Sequence, residues 1–151
     1  MILEDLFEKG VRRIGAEHEL CLIDASWRPA PEAERVLARL QDDSQFTAEI
    51  GRFNLEFNLE PMRFGGKVLS RLEESLNAHV HKARKVAREE GLDILMTGIL
   101  PTLRKADITV DNMMPYARYH ALNEALRRLR GEEFDLRLAG PDELIIKHDS
   151  V

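Results

Sequence analysis

Residues 53–60 read Phe-Asn-Leu-Glu-Phe-Asn-Leu-Glu, a strict alternation of apolar and polar side chains. A period of two belongs to a β-strand, whose successive side chains leave on opposite faces. Phe53, Leu55, Phe57 and Leu59 therefore share one face, and Asn54, Glu56, Asn58 and Glu60 the other. A slip of one residue would bury both carboxylates, so the pattern fixes the register as well as the element. A second stretch repeats the theme. In residues 13–24, Ala16, His18, Leu20 and Leu22 share one face while Glu17 and Glu19 share the other. The stretch 13–24 thus offers two carboxylates at i, i+2, roughly 6.5–7 Å apart along the strand, and 53–60 offers two at i, i+4, roughly 13 Å apart.

The rest of the chain supplies helices to cover such a sheet. Ile2, Leu3, Leu6 and Phe7 suggest a short N-terminal helix stopped by Gly10, and a second short helix fits Pro31 to Leu40. After Gly65-Gly66, Val68, Leu69, Leu72, Leu76, Val80, Ala83, Val86 and Ala87 recur at helical spacing. They predict a long helix over 67–90, capped by Gly91. Phe46 to Pro61 reads as one strand region, with Gly51-Arg52 able to interrupt it, and Leu92 to Leu100 as another. A helix over 115–130 presents Tyr119, Leu122, Leu126 and Leu129 as its inner face. Strands at 134–138 and 143–147 close the pattern. The mixture lacks regular βαβ alternation, so the expected class is α+β with a largely antiparallel sheet and helices on one face. At 151 residues the chain is expected to form one domain.

Charge and cysteine usage narrow the function. Acids outnumber bases 27 to 22, for a net charge of −5, which disfavours a general nucleic-acid binder. No apolar run approaches the ~18–20 residues of a membrane span, and a single cysteine excludes an intrachain disulfide. A cytoplasmic location is expected. If the two carboxylate-bearing strands are neighbours, their glutamates converge. Hard divalent cations, Mg²⁺ or Mn²⁺, are the natural neutralising partners for oxygen ligands. The bland alternative is a solvated face of an antiparallel sheet. Cys21 falls on the Glu17/Glu19 face but reads as a small buried hydrophobe, and His18 as a satisfied core histidine. His79 and His81 cannot pair at i, i+2 on a helix. No Gly-rich phosphate loop and no CxxC or HExxH motif occurs.

The segment Ile14-Gly15-Ala16-Glu17-His18-Glu19-Leu20-Cys21-Leu22-Ile23-Asp24 resembles the opening strand of the glutamate–cysteine ligase and carboxylate–amine ligase family. The likeness continues at Glu49-Ile50-Gly51-Arg52-Phe53-Asn54-Leu55-Glu56, at Thr97-Gly98-Ile99-Leu100-Pro101, and at Arg118-Tyr119-His120-Ala121-Leu122-Asn123. The resemblance implies a glutamine-synthetase-like fold, a curved and largely antiparallel sheet with helices on its outer face. It also implies ATP- and Mg²⁺-dependent amide formation through an acyl phosphate, on amino-acid substrates. By the same likeness Glu17, Glu19, Glu49 and Glu56 match metal-binding glutamates, with Glu49 assigned by resemblance alone. Arg104 and Arg118 are the candidate nucleotide contacts. Leu100 stands where many family members carry histidine, which leaves the amino-acid substrates open. Family members are more than twice this length, so the chain is expected to be the N-terminal part of a larger catalytic domain, inactive alone and self-associating through exposed sheet surface. A non-catalytic metal- or ligand-binding module on the same fold is the competing expectation.

Overall fold

In the computed structural model, residues 8–129 are described in full, and 130, 133–139 and 143–149 by their backbone. The expected N-terminal helix over 1–10 falls largely outside these residues. The chain divides into two compact units, Met1–Thr102 and Leu103–Val151.

The first unit carries the alternating segments. Its elements are β1 (Arg13–Ile23), α1 (Ala33–Arg39), β2 (Phe46–Ala48), β3 (Asn54–Arg63), α2 (Val68–Glu89) and β4 (Asp93–Leu95). The strands form one sheet in the order β2-β3-β1-β4, and every neighbouring pair is antiparallel. The α+β class expected from sequence is therefore the one observed. The pairing places His18 opposite Phe57, Glu19 opposite Glu56 and Leu20 opposite Leu55. Apolar meets apolar on one face, and carboxylate meets carboxylate on the other.

The apolar face is the core. Leu20, Leu22, Leu55 and Phe57 are wholly buried, and Leu59, Ile94, Phe46 and Ala48 nearly so. Helix α2 lies on this face: the His79 ring stacks on Phe57 at 5.2 Å and lies 5.5 Å from Phe46. Its buried stripe is Val68, Leu72, Val80, Ala83 and Ala87. The helix ends at Gly91, whose φ of +77° is the left-handed conformation that glycine adopts without a Cβ clash. The Leu92 amide returns to the Ala87 carbonyl (2.9 Å) and the Gly91 amide to that of Arg88 (3.0 Å), the paired bonds of a Schellman stop.

Three expectations need correction in this unit. The segment 46–61 is not one strand: β2 ends at Ala48 and β3 begins at Asn54. The turn between them brings Gly51 against Phe53, where a Cβ would sit 3.3 Å from the ring. Phe53 belongs to this turn and is half-buried, so the apolar row of β3 starts at Leu55. The strand expected over 92–100 is only Asp93–Leu95. It pairs with Cys21–Ile23 and leaves Arg13–Leu20 without a strand on that side among the described residues. Leu69, counted in the apolar stripe of α2, is 58% exposed. Its neighbour on the true core stripe is Leu72. Leu72→Ala should cost about 2–5 kcal/mol and Leu69→Ala within about 0.5 kcal/mol, read by urea unfolding.

The second unit holds two 3₁₀ turns (Lys105–Asp107 and Val110–Asn112), α3 (Ala117–Arg130) and an antiparallel hairpin, β5 (Glu133–Ala139) with β6 (Glu143–Asp149). Met113, Met114 and Tyr119 are buried. Leu122, Leu126 and Leu129, expected on the inner face of α3, are exposed. A helical repeat identifies a stripe without identifying what covers it. Among the described residues, no helix is long and apolar enough to cross a membrane.

Candidate metal centre

The polar face of the sheet carries the chemistry. Glu19 on β1 and Glu56 on β3 are direct cross-strand partners, and Glu56 faces Thr47 on β2. Glu49 follows directly after β2, at the start of the turn that leads to β3. One carboxylate oxygen from each of Glu19, Glu49 and Glu56 lies within 4.8 Å of the others. The turn that splits the expected long strand is what delivers Glu49. Glu17 shares the face and stands opposite Asn58, but its carboxylate is outside this trio.

Like charges placed opposite each other on adjacent strands are destabilising. Among the described residues, no lysine or arginine pairs with Glu19, Glu49 or Glu56. The cost shows at Glu49, whose carboxyl is pushed above the ordinary carboxylate value. Burial is the main cause, followed by a hydrogen bond shared with the Glu56 carboxyl and by the negative charges of Glu56 and Glu19. The Ile50 amide, 3.2 Å from Glu49 Oε2, opposes the rise. A bound cation would relieve this crowding of negative charge. Three convergent carboxylates without a basic partner are an all-oxygen donor set, which fits a hard divalent ion such as Mg²⁺ or Mn²⁺.

The raised value carries a pH consequence. The folded state binds the Glu49 proton more tightly than the unfolded chain, whose reference value is 4.5. Stability of the metal-free protein should therefore fall as pH rises from that reference value through the raised folded one. Glu49→Gln should raise the metal-free melting temperature by a few degrees at pH 7, with the gain fading below pH ~4.5. An unchanged melting temperature at pH 7 would show that the carboxylates do not repel.

Asn58 was missed as a functional residue by the sequence alone, where it reads as a solvated polar position. It is half-buried, as is Asn54. Its Nδ2 donates to Glu56 Oε1 (2.5 Å) and to Thr47 Oγ1 (3.3 Å), so it holds the Glu56 carboxylate in place. Its i, i+2 spacing from Glu56 was the available signal. Glu17, Glu19 and Glu56 also line a cleft of about 560 Å³, together with His18, Met96, Thr97 and Gly98. The segment just after β4 therefore borders the carboxylates.

The remaining candidates resolve as follows. Cys21 is buried opposite Asn54; burial, then the Glu19 charge, pushes its thiol up, so it stays a protonated and unreactive thiol. His18 lies on the apolar face as expected, near Phe57 at 5.7 Å. It is not satisfied, however: its buried Nε2 has no hydrogen-bond partner. The Nδ1 atoms of His79 and His81 each meet the carbonyl one helical turn back, at Ser75 and Asn77. Arg104 and Arg118 lie in the second unit. Arg104 caps the first 3₁₀ turn, its amide donating to Asp107 Oδ2 (2.7 Å). The Arg118 guanidinium sits 4.6 Å from the Tyr119 ring centroid, and its Nη2 donates to the Tyr119 hydroxyl (2.7 Å). Neither contact bears on the nucleotide role expected of these two arginines.

Comparison with curated proteins and with solved structures found no match. A family model does match, that of glutamate–cysteine ligase family 2, over residues 13–132. That span contains β1 to β4, the whole carboxylate trio and helix α3. The chain therefore belongs to glutamate–cysteine ligase family 2, a family of ligase-type enzymes.

Proposed function

We propose that the chain forms the metal-binding wall of an ATP-dependent carboxylate–amine ligase of the glutamate–cysteine ligase type. The observation that carries this reading is the convergence of Glu19, Glu49 and Glu56 on the polar face of the sheet, within the span matched by the family. In this reading the three carboxylates hold Mg²⁺, with Glu17 on the adjoining wall of the cleft. An ion held there would supply charge neutralisation for a transferring phosphoryl group. Asn58 keeps the Glu56 carboxylate turned toward the ion. The amide would form between amino-acid substrates through an acyl phosphate.

A ligase site must also exclude water from the acyl phosphate. The carboxylates line an open cleft, which supports binding of Mg²⁺ and nucleotide without turnover by the 151 residues alone. Among the described residues, residues 13–20 of β1 have no strand on one side, which supports self-association, since an unpaired strand edge is a template for another chain. Calorimetry with ATP and Mg²⁺, run beside an ADP-release assay and light scattering, tests this. The expected result is metal-dependent ATP binding that Glu56→Gln weakens, with no steady ADP release in the presence of glutamate and cysteine. Absence of any ATP–Mg²⁺ binding would favour a bare metal-binding module. Steady substrate-dependent ADP release by a monomer would show that these residues make a complete site.

A further inference from the structure

Trp27 is the one non-glycine residue with a positive φ (+62°) among the described residues, and it is 59% exposed. A bulky side chain in the left-handed region is strained, and the position suits glycine or asparagine. The turn that imposes this conformation is tightly built. Asp24 Oδ1 accepts the amides of Ser26 (2.8 Å) and Arg28 (2.9 Å). The Trp27 amide returns to the Asp24 carbonyl (3.0 Å), and the Asp24 amide to the Arg28 carbonyl (2.9 Å). Strain retained with an indole held out in water, where it contributes no core packing, points to a role for the indole itself.

The turn is also tethered to the cleft. Thr102 Oγ1 donates to the Trp27 carbonyl, and Arg28 Nη1 donates to the Thr102 carbonyl. Thr102 closes the segment that begins at Met96, Thr97 and Gly98 on the cleft wall and is anchored between by buried Leu100. Along the other connection, Glu19 and Ile23 are four residues apart on β1, ~13 Å at the strand rise. Trp27 lies just past that end. That rise along β1 is of the order spanned by an extended nucleoside triphosphate whose phosphates would sit on a metal at the carboxylates.

We propose that Trp27 is the stacking platform for the base of the nucleotide whose phosphates the carboxylate-bound metal holds. The proposal rests on the ATP-dependent reading above. A base offers a flat π-face, and an exposed indole carried on a rigid turn, with only two side-chain torsions to order, meets it at modest ordering cost. The strained turn then fixes the backbone that carries the indole, at the expense of stability.

Trp27 is the only tryptophan in the chain, so its fluorescence reports this position alone. The protein is titrated with ATP–Mg²⁺ and with inorganic tripolyphosphate–Mg²⁺, following emission and heat in parallel. ATP–Mg²⁺ should change the emission saturably, while tripolyphosphate–Mg²⁺ should bind by calorimetry and leave it unchanged. Trp27→Asn should raise the melting temperature by a few degrees, weaken ATP–Mg²⁺ roughly five-fold or more, and leave tripolyphosphate–Mg²⁺ unaffected. Trp27→Phe should recover most of the ATP affinity. Equal ATP affinity in wild type and Trp27→Asn, with tripolyphosphate–Mg²⁺ still bound, would overturn the Trp27 assignment and leave the proposed function standing. Failure of both ligands to bind would overturn both. An emission shift that follows protein concentration, without response to nucleotide, would assign the indole to self-association and overturn the proposal.

Discussion

Phe57→Ala should destabilise the protein by about 3–5 kcal/mol, the range for deleting a fully buried aromatic ring. Phe57 has no exposed surface. It also sits at the crossing of the sheet and α2, with His79 stacked at 5.2 Å, Phe46 edge-on at 5.8 Å and His18 across the β1–β3 ladder. Truncation removes the transfer energy of the ring and leaves a cavity between sheet and helix that neither can fill without moving. Chemical denaturation of wild type and variant measures the difference. A loss under about 1 kcal/mol would mean that β3 does not present this face to α2. The assignment of Glu56 to the opposite face would fall with it.

Glu56→Gln is the companion substitution one residue away, and its effect should be the reverse in kind. Fold stability of the metal-free protein should hold or rise, because one of three crowded carboxylates is removed. Divalent-cation affinity should drop at least about ten-fold, since glutamine keeps the size of the side chain and loses the charge that a hard cation needs. Asn58→Ala should weaken the cation less, through the loosened Glu56 carboxylate. Manganese titration of the three proteins ranks them. Equal affinities across the set would remove Glu56 from the site.

The contrast between Phe57 and Glu56 was legible in the sequence because a period of two has a single structural meaning and the apolar row can face only one way. The same held for α2, where the stripe from Val68 to Ala87 and the stop at Gly91 follow from local rules. The sequence did not reveal how the two carboxylate strands meet. Glu19 faces Glu56 because β1 and β3 pair in one particular register, a non-local choice made by the whole core. Glu49 was beyond reach of periodicity. Its position depends on the turn at 49–53, where Gly51 and Phe53 pack together, and turn geometry is set by contacts that alternation does not encode. The short β4 and the exposed Leu122, Leu126 and Leu129 have one cause in common. Apolar runs state what should be buried but not what is there to bury them.

The most direct test of the account is a manganese titration of the wild-type chain beside Glu49→Gln, at pH 7 and near pH 5. Saturable Mn²⁺ binding is expected and should weaken on acidification, because protons compete with the ion for the carboxylates. Binding should raise the melting temperature of the wild type and do so less in the variant. Absence of saturable binding at pH 7, or binding equal in the two proteins at both pH values, would contradict the claim that this face of the sheet is a metal centre.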